Sequence, residues 1–155
     1  LCDGDSLMIA VAQRVSSAKV EVAEPYYSAE IGDGLSVLLG IESGDGVDQA
    51  LWMASKLANL RIFNDSDSKM NRSIVDVSGE ILLISQFTLV GDCTKGNRPS
   101  FIAAAAGDEA EPLVGLVGET LSAEHGIRVC KGVFGAIMKV SIVNEGPVTL
   151  VIQRD

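Results

Sequence analysis

Near the C-terminus, Asn144-Glu145-Gly146-Pro147-Val148-Thr149 sets a Gly-Pro pair between two strand-like stretches, residues 138–143 and 148–153. Proline has no backbone N–H, and an X-Pro bond brings the cis form within about 0.5–1 kcal/mol of trans. A glycine before it removes the side chain that otherwise restricts the approach to proline. The pair predicts a strand–turn–strand ending in which two backbone carbonyls face outward without side-chain cover. Read alone, it is also what an ordinary turn between strands looks like.

The rest of the chain alternates strand-like and helical segments. Residues 8–15 and 18–22 predict two strands around Ser16-Ser17, with Lys19 and Glu21 alternating against Val20 and Val22. Residues 26–31 and 35–41 predict a further antiparallel pair across Gly32-Asp33-Gly34, the second apolar enough to be central in a sheet. Asp45 is placed to N-cap a helix running to about Leu60, with Val47, Leu51, Ala54 and Leu57 or Ala58 at helical spacing and Trp52 and Met53 flanking them. Residues 64–73 read as a polar loop and 81–89 as a buried strand. Residues 108–124 predict a second helix with Leu113, Leu116 or Val117, Thr120 and Leu121 inward and Gly126 as its stop. Adding a strand near 128–132, strand pairs with two helices on one side imply an α/β fold with a mixed sheet.

At 155 residues, 47% hydrophobic and 21% charged, the chain suits one domain with a sizeable core. Residues 1–7 read as a short N-terminal extension and 8–155 as the domain. No stretch approaches the roughly 18 apolar residues of a membrane span, and the first residues lack a secretory pattern. A cytoplasmic protein with no membrane partner is therefore expected. Cys2, Cys93 and Cys130 are odd in number, far apart and without a histidine cluster, so neither a disulfide framework nor a metal site is expected. A net charge of −9 opposes coating long nucleic acid, and no DNA partner is expected. It leaves room for gripping a short RNA end, and Lys95 and Arg98 share one glycine-containing loop.

The familiar catalytic signatures are missing. There is no Gly-x-Ser-x-Gly elbow, phosphate loop or Gly-x-Gly-x-x-Gly. The single histidine, His125, sits beside Gly126 at a helix end, a capping place rather than a catalytic one. Two polar clusters remain. Ser85-Gln86-Phe87-Thr88 puts hydroxyls and an amide at the rim of an apolar strand, where ligand groups are held or where a strand simply surfaces. Lys95-Gly96-Asn97-Arg98-Pro99-Ser100-Phe101 either clasps an anion or turns a corner.

Together the clusters carry a resemblance. Ser85-Gln86-Phe87-Thr88-Leu89, then Gly91-Asp92-Cys93-Thr94 with the Lys95–Phe101 run, and finally Asn144-Glu145-Gly146-Pro147-Val148-Thr149 resemble the two signature motifs of the D-aminoacyl-tRNA deacylases, also called D-tyrosyl-tRNA deacylases. Ala12-Gln13-Arg14-Val15, Leu38-Leu39-Gly40-Ile41, Leu60-Arg61-Ile62-Phe63 and Gly132-Val133-Phe134-Gly135 match in order, extending the likeness from about Met8 to Gln153.

The resemblance implies a three-layer α/β/β single domain with mixed, largely antiparallel sheets, acting without a cofactor as a homodimer with two active sites at its interface. It implies hydrolysis of the ester at the 3′ end of D-aminoacyl-tRNA, and of glycyl-tRNA, with release of the amino acid. Gly146-Pro147 is implied to be cis and to enter the partner subunit's pocket, and Arg14 to hold it in place. Backbone N–H groups near Gln86 and Phe87 are implied to polarise the ester carbonyl while the ribose 2′-hydroxyl assists. Ser85 is read as positioning, Thr88 as an alternative nucleophile with nothing to activate it, and Phe134 and Met138 as lining an adenine pocket. One departure stands out: Glu145 occupies a place commonly held by Asp in the family. Two other readings stay open, a related deacylase with a trans Gly-Pro acting on L-alanyl-tRNA, and a non-catalytic RNA-end or dimerisation module on the same fold.

Overall fold

β1 (Ile9–Val22) is one unbroken strand rather than two, and everything else is arranged around it. The structure is a computed structural model that describes residues 8–154; the predicted extension lies outside the described residues. One edge of β1 is shared end to end by β2 (Tyr27–Ile31) and β3 (Gly34–Gly40), both antiparallel to it. The predicted pairing of these two with each other does not form, because the Ala18↔Ile31 and Val15↔Gly34 pairs set them in line along the same neighbour. The other edge of β1 carries β8 (Lys139–Gln153). Beyond β3 the sheet continues in parallel through β6 (Glu80–Ser85) and β7 (Arg128–Lys131).

Ser16-Ser17 marks where this sheet folds over, not where it turns back. Ala10 and Ala12 lie in a core shared with the helices, while Val15, Ala18 and Val20 lie in a second core with Ile31, Leu82 and Ile84. β6 serves both, Ile81 and Leu83 on the helix side and Leu82 and Ile84 on the other, which explains its continuous apolar run. Helices, central sheet and folded-over half make the three layers that the resemblance implied.

α1 (Val47–Asn59) presents Ala50, Met53, Ala54, Leu57 and Ala58 to the core, while Val47 and Leu51 are exposed. Gly46, not Asp45, is the capping residue, its N–H donating to the Gln49 side chain at 2.8 Å. The Asp45 carboxylate instead accepts the N–H of Met8 (3.1 Å) and of Glu42 (2.8 Å), tying the start of β1 to the loop before α1. α2 (Gly107–Ala123) buries Ala110, Val114, Val117, Gly118, Thr120 and Leu121, with Leu113 and Leu116 half-buried beside them. It stops as predicted, the Gly126 N–H returning to the Ser122 carbonyl at 3.1 Å. The predicted polar loop contains a small ribbon, β4 (Phe63–Asn64) paired with β5 (Met70–Arg72).

Candidate functional site

β6 delivers the first motif. The strand ends at Ser85, and Phe87–Val90 forms a turn of 3-10 helix instead of the predicted continuation of the strand. The Gln86 N–H donates to the Leu39 carbonyl at 2.8 Å, extending the parallel ladder by one bond. That amide was expected to face a substrate carbonyl, and the ladder bond occupies it. The next two amides, of Phe87 and Thr88, open the turn and find no acceptor among the described residues. The Gln86 side chain bends back so that its amide donates to the Thr88 hydroxyl. An amide cannot take a proton from that hydroxyl, so Thr88 lacks the adjacent base a nucleophile needs.

A cavity of about 200 Å³ opens against this turn, lined by Ser85, Gln86, Phe87, Gly135, Ala136 and Met138, together with Ile84 and Val140. Met138 lines this cavity together with the motif, whereas Phe134 packs against the helix-side core, its ring near Gly107 at the start of α2. Gly135 and Ala136 line the cavity instead, and as small residues without a chemical signature they gave sequence reasoning nothing to find. Phe87 is 57% exposed and meets Phe101 edge-on, ring centroids 5.2 Å apart.

The second motif sits elsewhere in the protomer. Gly146-Pro147 is a cis peptide within β8, which runs as one bulged strand rather than two strands joined by a turn. From Thr149 to Asn144 β8 spans five residues while β1 spans only two, from Gln13 to Val15, so Glu145-Gly146-Pro147 is pushed out of the ladder. Arg14 holds the base of this bulge: its Nε donates to the Glu145 carbonyl at 2.9 Å and its Nη1 to the Ile62 carbonyl at 2.8 Å. Gly146 has φ of +132°, and a Cβ there would stand 3.0 Å from Arg14 Nη2 and from Val148 Cγ2. Only glycine fits that backbone and that space. The Ile62 carbonyl was not foreseeable as a functional group, since a backbone acceptor leaves no mark in residue type.

The two motifs do not meet within one protomer. Arg14 pairs with Leu35 and Ser85 with Leu39, so they lie four residues apart along β3, about 13 Å at about 3.3 Å per residue. A cavity of about 270 Å³ beside Arg14 and Glu145 shares no lining residue with the cavity at Ser85–Phe87. A larger cavity of about 540 Å³ lies at the opposite end of β6 around Glu80 and Arg128, whose charges are paired with each other. Among the described residues no cluster of His, Cys, Asp and Glu could hold a metal ion, and no helix is long and apolar enough to cross a membrane.

Residues 11–153 match the family model described as D-Tyr-tRNA(Tyr) deacylase. The D-aminoacyl-tRNA deacylase of Geobacter sp. (strain M21) is 52% identical over 147 residues, 94% of this chain and 97% of that protein. That of Thermus aquaticus is 52% identical over 145 residues, 94% of each chain. Among solved structures, the c-Myc DNA Unwinding Element Binding Protein superposes with a TM-score of 0.88 at 39% identity, covering 96% of this chain and 99% of that one. A probable eukaryotic D-amino acid tRNA deacylase superposes with a TM-score of 0.82 at 18% identity, covering 96% and 100%, a likeness of fold.

Proposed function

Because the chain belongs to the D-Tyr-tRNA(Tyr) deacylase family, we infer that it hydrolyses D-aminoacyl-tRNA to free D-amino acid and tRNA. The observation that carries the chemical part is the pair of unsatisfied amides, Phe87 and Thr88, opening a turn beside a cavity. Water adds to the ester carbonyl, the carbonyl oxygen becomes an oxyanion between these two donors, and the bond to the ribose oxygen breaks as that oxygen regains a proton. Preorganised donors of this kind contribute roughly 10²–10³ in rate. With no side-chain base at Thr88, the ribose 2′-hydroxyl is assigned the proton relay. Ser85 and Gln86 shape the strand end, and Met138 offers an apolar wall for the terminal adenine.

Selection is assigned to Gly146-Pro147 of a second copy, entering the cavity at Ser85–Phe87 and excluding an L side chain by collision with backbone. A penalty of about 3–4 kcal/mol rejects the wrong enantiomer by several hundredfold. Glycine has no side chain to exclude, so glycyl-tRNA is a substrate too. The separation of the two motifs within one protomer supports this assignment, as does apolar surface on the open edge strand β8, where Val140, Val143 and Val151 are exposed beside Ile137. A twofold dimer repeats one such contact and completes two sites.

Deacylation of D-tyrosyl-, glycyl- and L-tyrosyl-tRNA tests the activity. Turnover of the first two alone is expected, and equal D and L rates, or none, would overturn it. Subunit mixing tests the shared site. A variant damaged at Gly146-Pro147 and one damaged in the Phe87–Val90 turn are each inactive alone, and the mixture is expected to regain activity because one site of the heterodimer takes intact parts from both. No recovery in a verified heterodimer would place the site within one chain.

A further inference from the structure

The loop that carries Lys95 and Arg98 is built onto the turn that carries the unsatisfied amides. The Gly91 N–H donates to the Thr88 carbonyl at 3.0 Å, and Asp92 and Ser100 then exchange backbone bonds of 2.7 and 2.9 Å, pinching residues 93–99 into a closed loop. Phe101, just past the pinch, meets Phe87 edge-on, and a Cβ on Gly91 would stand 2.8 Å from the Phe101 ring. Asp92 fixes the first limb by accepting from the Thr94 N–H (2.9 Å) and hydroxyl (2.6 Å), and these bonds hold its carboxyl below the usual carboxylate range. The only carboxylate in residues 91–101 is thereby committed to its own loop. Gly96 at the tip has φ of +64° with nothing within 4 Å of a Cβ position, so the tip stands in solvent.

Lys95 and Arg98 flank that tip. Both are exposed, and neither makes an ion pair or hydrogen bond with any described residue. In a protein of net charge −9, two unpaired cations on one tethered loop form a local positive spot. Lys95 is three residues from Asp92 and Arg98 two from Ser100, so at about 3.3–3.6 Å each their backbones stand within about 11 Å of the pinch, which the Gly91-to-Thr88 bond fastens to the turn. That is the reach from a terminal nucleotide to the phosphates that precede it.

We propose that Lys95 and Arg98 grip the phosphodiesters just upstream of the terminal adenosine, and that this loop supplies most of the affinity for the RNA. The proposal rests on the deacylase reading for which end of which ligand arrives. Each cation neutralises about one phosphate, and loss of both is expected to flatten the log–log salt dependence of binding by about 1.4 for single-stranded RNA.

The test uses the Lys95→Ala/Arg98→Ala double variant of the full chain and two probes. Binding of an uncharged RNA hairpin with a single-stranded ACCA end is followed by fluorescence anisotropy across a salt series. Turnover of 2′(3′)-O-D-tyrosyl-adenosine, which carries no phosphodiester, is followed beside it. The expected result is at least tenfold weaker hairpin binding, a flatter salt slope and unchanged turnover of the adenosine ester. Unchanged hairpin affinity overturns the proposal, and so does an equal loss on the adenosine ester, which would make the loop merely a prop for the turn. Failure of the deacylase reading looks different: the unsubstituted protein would turn over neither the adenosine ester nor D-tyrosyl-tRNA, whatever the loop does to RNA binding.

Discussion

Arg14→Ala removes one side chain that ties three parts of the fold together, the bulge of β8, the strand β1 and the approach to β4. Its guanidinium donates to the carbonyls of Glu145 (2.9 Å) and Ile62 (2.8 Å). A hydrogen bond from a charged group contributes about 1.5–3 kcal/mol, with the solvent-exposed bond to Glu145 at the low end, so the substitution is expected to cost about 3–4.5 kcal/mol of stability. The bond to Glu145 also sets where Gly146-Pro147 stands. Releasing about 1.5 kcal/mol of positional restraint predicts roughly a tenfold fall in kcat/KM on D-tyrosyl-tRNA and a narrower gap between D and L substrates. Arg14→Lys is expected to fall between, because one ammonium cannot reproduce the planar fork that reaches two carbonyls. Urea denaturation gives the stability, and deacylation of both enantiomers gives the rest. A variant with wild-type kcat/KM and an unchanged D-to-L ratio would refute the anchoring role, even if it were less stable.

Gly146→Ala is expected to cost about 1–3 kcal/mol, from backbone strain at φ of +132° and crowding at 3.0 Å against Arg14 and Val148, and to lower kcat/KM more than tenfold in a protein that still folds. Circular dichroism and deacylation decide it, near-normal turnover counting against. Thr88→Ala is expected to stay within about tenfold of wild type, since the hydroxyl's partner is the Gln86 amide; an aminoacyl group trapped on Thr88 would sink that expectation. The Glu80 carboxyl is held below its ordinary value, first by the Gly32 N–H and then by Arg128. Its stabilisation is therefore complete above the ordinary carboxylate range and lost as pH falls through the lower folded value. Between about pH 5 and pH 2 the urea midpoint of the wild type is expected to drop more than that of Glu80→Gln; parallel drops would count against the linkage.

Much of the architecture was legible from side-chain pattern. The buried stripe Ala54, Leu57 and Ala58 on α1, the stop at Gly126 and the doubly buried run of β6 follow from periodicity and cap chemistry, which are local signals. The motifs at Ser85–Thr88 and Gly146-Pro147 named the family, and with it the reaction. They did not say which backbone groups are free, which strand lies beside which, or that the two motifs stand apart in one chain. Ser16-Ser17 resembles a turn locally, yet β1 continues through it, because the fold gains two cores by bending one sheet. Gly146-Pro147 resembles a turn for the same reason and is a bulge, because β1 pairs with β8 on both sides of it. The Gln86 amide is spent only because Leu39 arrives beside it in a parallel ladder, and the amides of Phe87 and Thr88 stay open only because the chain leaves the strand there. Residue types and their spacing determine caps, faces and motifs, since each depends on neighbours within a turn or two. Pairing and the availability of a backbone donor depend on segments distant in the chain, and those are settled only when the whole sheet closes on its cores.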